Sequence, residues 1–285
     1  MSAPVSERLP AERVLLGYLL LAAMSTVLLR PPAWGVILLF HLLGAALVEG
    51  LRWVPAEGAP GRRLRILVPL FFFPLIYAGT GRINLGLRYW VLDEIVPRWE
   101  AALFGGQPSL YLSERLPWFW LSELLHAAYF SYYLLVLLLP MVLVLQGRER
   151  AAERTVAALV LLFSVSCLFY IWLPLTSPYY RYPPLAAPLS EGPMYRLVHA
   201  VSGRGGVVGG AFPSSHASLA TLNLLLAWKL ERRLFWWTVV PTFGLLTATV
   251  YCRFHYALDT LSGVAVGVGV FAASPLSLRT IWRIP

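Results

Sequence analysis

The chain has 285 residues, 58% of them hydrophobic and 13% charged, with a mean hydropathy of +0.67, well beyond the apolar content of a soluble globular domain. Its formal charge is +9 and every basic residue except Lys229 is an arginine, but the charges fall in short clusters between apolar runs. That pattern excludes a nucleic-acid binder, which gathers its basic residues on one soluble face, and points to loops that set topology or meet anionic headgroups.

A bilayer core asks for about 20 apolar residues per helix. Eight spans are predicted on that measure, at 13–30, 33–51, 64–79, 118–146, 153–175, 214–230, 234–253 and 255–274. No small-x-small cleavage site follows the first, so it reads as a retained span and not as a secretory signal. Arg52, Arg62, Arg63 and Arg65 lie between spans two and three, Arg148, Arg150 and Arg154 between four and five, and Lys229, Arg232 and Arg233 between six and seven. With eight spans these clusters share one side with both termini, and the positive-inside rule makes that side cytoplasmic.

The opposite side receives two longer connections. In 80–117, acids including Glu100 balance the arginines and are interleaved with Trp90, Trp99 and Phe104, with Trp118 just beyond, which reads as one or two helices lying in the interface, with Asp93 and Glu94 as interface charges. The segment 176–213 is rich in Pro and Gly and reads as an irregular cap over something. No repeat or linker divides the chain, so 1–285 is one membrane domain, with 1–60 as two peripheral spans. Cys167 and Cys252 sit in apolar segments and read as buried thiols.

Five histidines stand in the whole chain, and two lie where chemistry is expected. His216 follows Pro213-Ser214-Ser215 at the start of the sixth span. Free N–H groups and the Ser214 and Ser215 hydroxyls at such a start can hold phosphate oxygens while the imidazole donates a proton. His255 and Asp259 are four residues apart, which on a helix places them on one face, with the carboxylate orienting one ring nitrogen and leaving the other as a nucleophile. Arg253 and the loop residues Arg181 and Arg204 are candidates to hold phosphate through paired hydrogen bonds. Glu123 and His126, three apart, are candidates to touch a headgroup or to form a packing bond between helices; His41 reads as a packed residue, and His199 as a surface one. No carboxylate cluster surrounds the histidines, so neither a metal nor another cofactor is expected.

These motifs resemble the type 2 phosphatidic acid phosphatase superfamily, whose members carry Pro-Ser-x-His at one helix start and Arg, His and Asp at a later one. The likeness covers roughly 80–270. The stretches Ala211-Phe212-Pro213-Ser214-Ser215-His216, Phe254-His255-Tyr256-Ala257-Leu258-Asp259 and Glu123-Leu124-Leu125-His126-Ala127-Ala128-Tyr129-Phe130-Ser131-Tyr132-Tyr133 are most similar to the branch of fungal inositol phosphorylceramide synthase and its bacterial relatives. Where the phosphatases place an Arg six residues before the second His, this chain has Thr249, and the Lys-x6-Arg-Pro element is missing. The resemblance implies an all-α, polytopic fold whose catalytic bundle occupies 64–275, and a metal-independent mechanism through a phosphohistidine on His255, with Asp259 orienting it and His216 as acid and base. A lipid hydroxyl as acceptor makes a phosphotransferase, and water makes a lipid phosphate phosphatase. A transporter, in which the same residues bind ions, and a pseudoenzyme that holds lipid phosphate without turnover are the rivals. The expected setting is an integral membrane protein of a bacterial inner membrane acting on lipids at the extracytoplasmic side; the residues do not define an oligomeric state.

Overall fold

The computed structural model describes residues 6–55 and 59–274, without the side chains of Ala59 and Arg204. In chain order, α1 (Pro10–Leu29) and α2 (Trp34–Gly50) form a first hairpin, and α3 (Ala59–Phe71) and α4 (Phe73–Ile83) form one broken helix. Next come α5 (Leu92–Phe104) and α6 (Pro108–Arg115), then a bent pair, α7 (Phe119–Phe130) and α8 (Tyr132–Leu145). After α9 (Glu149–Trp172), the segment carries α10 (Pro178–Arg181) and α11 (Pro193–Gly205), and the chain closes with α12 (Ser215–Leu230), α13 (Arg232–Tyr251) and α14 (Ala257–Ala273). No strand occurs among the described residues; an isolated bridge joins Leu175 to Gly210.

Among the described residues five helices are long and apolar enough to cross a membrane, and α7 with α8, bent by 40°, supplies a sixth. The predicted count of eight is not reached on this measure. The shortfall lies in α12 and α14, which have 16 and 17 residues because their starts are given over to polar residues. The outward faces carry what lipid requires: Val36, Leu39, Leu43 and Leu47 of α2 and Trp237 and Val240 of α13 are exposed apolar side chains.

Helix α9 is the axis of the packing. Leu159, Val160, Leu162, Cys167 and Tyr170 are fully buried, and α1, with Leu15, Leu19 and Ala22 buried, packs directly on it. Of the two helices read as peripheral, α1 thus belongs to the core layer and α2 lies outside it. Two devices join the helices that bring the site together. Pro140 in α8 has no N–H to offer the carbonyl of Val136 one turn back; the Asn223 side chain of α12 donates to Leu135 O at 2.8 Å and Val136 O at 3.2 Å instead. In α14, Gly263 and Gly267 let the backbone lie against α12: a Cβ on Gly263 would stand 2.4 Å from Ser214 O, and one on Gly267 2.6 Å from Ser218 O.

The basic loops between the spans meet at one end. Arg62 bonds Glu153 and Arg63 bonds Glu149, tying the start of α3 to α9, while Arg148 donates to Leu230 O at 2.8 Å and approaches Glu231, tying α9 to α12. Arg65 differs from the expectation of a loop charge: it is fully buried against Glu12 of α1, at 2.7 Å. The other end carries α5, α6, α10 and α11. The segment 176–213 is more regular than its composition suggests, because Pro193 starts α11 at the position where a missing N–H costs nothing.

Candidate functional site

His216 and His255 come together at the ends of two packed helices, with ring centroids 5.7 Å apart. Ser214 is the N-cap of α12: its hydroxyl accepts from Ala217 N–H at 3.3 Å and its N–H donates to Asp259 O at 3.1 Å. The Ser215 N–H donates to the Tyr170 hydroxyl at 3.0 Å, which in turn donates to Pro213 O at 2.7 Å. Several of the donors expected to be free for phosphate are therefore occupied within the fold, and Ser214 serves as a cap and not as an open hydroxyl. Ser215 lines the cavity described below.

His255 precedes α14 and does not lie on it. Residues 252–255 form a tight turn with Arg253 at φ 62°, and the His255 N–H donates back to Thr249 O at 2.8 Å. The helical reading of the four-residue spacing is thus replaced by a turn and a cap. Asp259 is fully buried, and its Oδ2 accepts from Tyr256 N–H at 2.9 Å while standing 3.4 Å from His255 Nδ1. That separation is long for a hydrogen bond, as pairs of this kind often are before substrate binds. With Nδ1 turned to the carboxylate, Nε2 is the nitrogen left for chemistry.

His216 is held between two tyrosines, one on each side of the bend at Ser131. Tyr129, next to last in α7, stacks on the imidazole at 4.7 Å, and Tyr132 starts α8 and lies at 4.2 Å. Both histidines border a cavity of about 540 Å³, in the range of small-molecule sites. Its walls are aromatic and apolar: Tyr77 and Phe73 of α4, Tyr132 and Val136 of α8, Tyr179 and Tyr180 of the cap. Phe71 and Tyr133, which also line it, are exposed at the surface of the bundle, so the cavity opens between the α3–α4 joint and the start of α8.

The remaining candidates go elsewhere. The Arg253 guanidinium donates to Pro183 O at 2.8 Å and Ser113 Oγ at 3.0 Å, which fastens the cap to α6, while its buried Nε has no partner. Arg181 is exposed and donates to Asp93 O at 2.9 Å; the Arg204 side chain lies outside the described residues. Glu123 does not face a headgroup, since its two oxygens accept from Met194 and Tyr195 N–H at 2.9 and 3.0 Å and so cap α11. His126 is buried, with Nδ1 2.7 Å from Ser122 O, beside His199. His199 is half-buried against Tyr195 instead of lying at the surface, and burial, with His126 adding, pushes its imidazole down to about 4. His41 is buried and bonded to Ile37 O, as read from sequence.

Sequence reasoning missed Tyr129 and Tyr132, which lay inside a quoted motif but had no assigned role. It also missed the Gly263-x3-Gly267 seam, although small residues four apart in an apolar helix are a legible signal of close helix packing. Asp93 was read as an interface charge, whereas its carboxylate accepts from Thr176 N–H at 2.6 Å and the Thr176 hydroxyl at 2.7 Å and anchors the start of the cap. Among the described residues no group of three or more His, Cys, Asp or Glu is placed to hold a metal ion.

Comparison with known proteins gives one family: the profile described as the PAP2 superfamily matches residues 98–273, well over half of the chain. No curated protein and no solved structure matches.

Proposed function

The chain belongs to the PAP2 superfamily of membrane phosphatases and phosphotransferases, and from that premise we propose that it moves a phospho-headgroup from one lipid to another, in the manner of inositol phosphorylceramide synthase. The observation that carries this reading is the pairing of His216 and His255 on the wall of an aromatic cavity that opens between helices. An apolar cavity beside the reacting groups suits a substrate whose body is lipid. Among the described residues its polar lining is tyrosine and serine hydroxyls and imidazoles, which suit a singly charged phosphodiester.

In the proposed reaction, the lone pair of His255 Nε2 attacks phosphorus and the bond to the donor's glycerol oxygen breaks. His216 gives its proton to that oxygen as it leaves. Asp259 holds Nδ1 and balances the positive charge of the phosphohistidine. The acceptor's hydroxyl then loses its proton to His216 and attacks phosphorus, and the P–N bond breaks, returning its electrons to His255. Water in place of the lipid alcohol turns the same steps into a phosphatase. Eight membrane crossings, with α12 and α14 among them, put both termini with the basic loops on the cytoplasmic side and the histidines on the extracytoplasmic side of a bacterial inner membrane.

The test uses purified protein in detergent with a chelator present. Wild type and His255→Ala are given short-chain phosphatidylinositol or phosphatidic acid, with or without short-chain ceramide or diacylglycerol. A new phospholipid that forms when the alcohol is added, with turnover lowered by about three orders of magnitude or more in His255→Ala, is the expected result. Phosphate release from phosphatidic acid alone makes the protein a phosphatase. Equal rates from wild type and variant remove His255 as the nucleophile, and loss of activity in chelator removes the metal-free mechanism.

A further inference from the structure

Glu100 is a fully buried carboxylate in α5, outside the groups used above. Its Oε2 accepts from Leu258 N–H at 3.1 Å, and the neighbouring Ala257 N–H points its positive end toward the same carboxylate and favours its charged form. These are the first two N–H groups of α14, the donors that a helix leaves without internal partners. The third residue of that turn is Asp259, whose Oδ2 faces His255 and whose carbonyl accepts from Ser214 N–H. The turn therefore touches both histidine-bearing segments, and Glu100 grips it from the opposite side.

We infer that Glu100 is a positioning residue for the two-histidine centre: reaching from α5, its carboxylate fixes the first turn of α14 and places a second acidic group behind Asp259. The inference rests on the functional reading above and adds a residue to it. Two observations make this more than a helix cap. Glu100 Oε1 has no hydrogen-bond partner although it is buried, an arrangement that a cap alone does not need. Burial, opposed by the two N–H groups and reinforced by Asp259, pushes the Glu100 carboxyl up to about 7, so its charge changes in the neutral range. Asp259 is the ionisable side chain whose charge acts on it; Arg98 and Glu94 of its own helix are exposed and turned to each other, 3.8 Å apart.

The sign of the stability effect follows. A carboxyl whose value rises from the ordinary 4.5 to about 7 on folding binds its proton more tightly in the folded state. Its contribution to stability is complete below the ordinary value and is lost as pH rises towards about 7. Glu100→Gln keeps an acceptor oxygen for the α14 N–H groups and removes the titration.

The experiment measures turnover of short-chain phosphatidylinositol with ceramide from pH 5 to 9 for wild type, Glu100→Gln, Glu100→Ala and His255→Ala. The expected result is a wild-type profile of turnover against pH with an inflection near 7 that Glu100→Gln lacks, while Gln retains at least a third of the optimal rate. Glu100→Ala, which loses the grip, should fall by tenfold or more in kcat with KM within about twofold. A Glu100→Gln profile that superimposes on wild type overturns the inference, and it does so even where Glu100→Ala does not fold. Full activity in His255→Ala is the separate failure of the functional reading.

Discussion

The two ends of the helix bundle are fastened by different chemistry. At the end with the basic loops, exposed arginines meet carboxylates, Arg62 with Glu153 and Arg63 with Glu149, 36–40% exposed, beside the buried Arg65–Glu12 pair and the Arg148 bond to Leu230 O. At the end with the histidines, carboxylates meet backbone: the half-buried Asp93 holds Thr176, and the buried Glu100 and Glu123 hold α14 and α11. Exposed ion pairs shift with little cost and weaken in salt, whereas a carboxylate bonded to backbone N–H fixes a main-chain segment in place. The proposed chemistry between two imidazoles 5.7 Å apart needs the second kind of fastening.

Three substitutions test that contrast, in order of decreasing effect. The α12–α14 seam is the tightest backbone contact at the site, so Gly263→Val forces a side chain onto Ser214 O and moves both histidine segments. Turnover should fall by about a hundredfold, the scale of a 1 Å misplacement, and thermal unfolding in detergent should show a loss of about 1–3 kcal/mol. Gly269, whose Cβ would meet open space, is the matched control; Gly269→Ala should keep full activity. A tolerated Gly263→Val would show that the seam does not set the geometry.

Glu123→Ala comes next. It leaves two N–H groups at the start of α11 without their acceptor and should destabilise by about 1–3 kcal/mol, with little dependence on ionic strength. Tighter or equal thermal stability in this variant would mean that α11 is held by its other contacts. The smallest effect belongs to Arg62→Ala, expected below about 1 kcal/mol and vanishing at high salt. A larger, salt-resistant loss there would erase the difference between the two ends.

Much of the frame was legible in the chain itself, because apolar runs of membrane length are hard to mistake and the predicted segments coincide with α1, α2, α3–α4, α7–α8, α9, α12, α13 and α14. The pairing of His216 with His255 was also legible, since both stood at helix starts on the same predicted side. The arginines were not. Arg253 looked like a phosphate ligand by sequence distance, yet a left-handed turn aims its guanidinium at Pro183 and Ser113. Glu100, Asp93 and Glu123 looked like surface charges or headgroup contacts, because a carboxylate in an amphipathic stretch reads the same whether it faces water or the end of another helix.

Local pattern by itself determined the membrane class, the approximate helices and the histidines worth watching, since hydropathy and helix-start chemistry act over neighbouring residues. Tertiary structure alone decided that His255 lies in a turn, that tyrosines on both sides of a bend hold His216, and that acidic residues far away in sequence cap α11 and α14. Those outcomes depend on which backbone N–H groups are left unpaired at each helix start and which side chains the packing brings within reach of them.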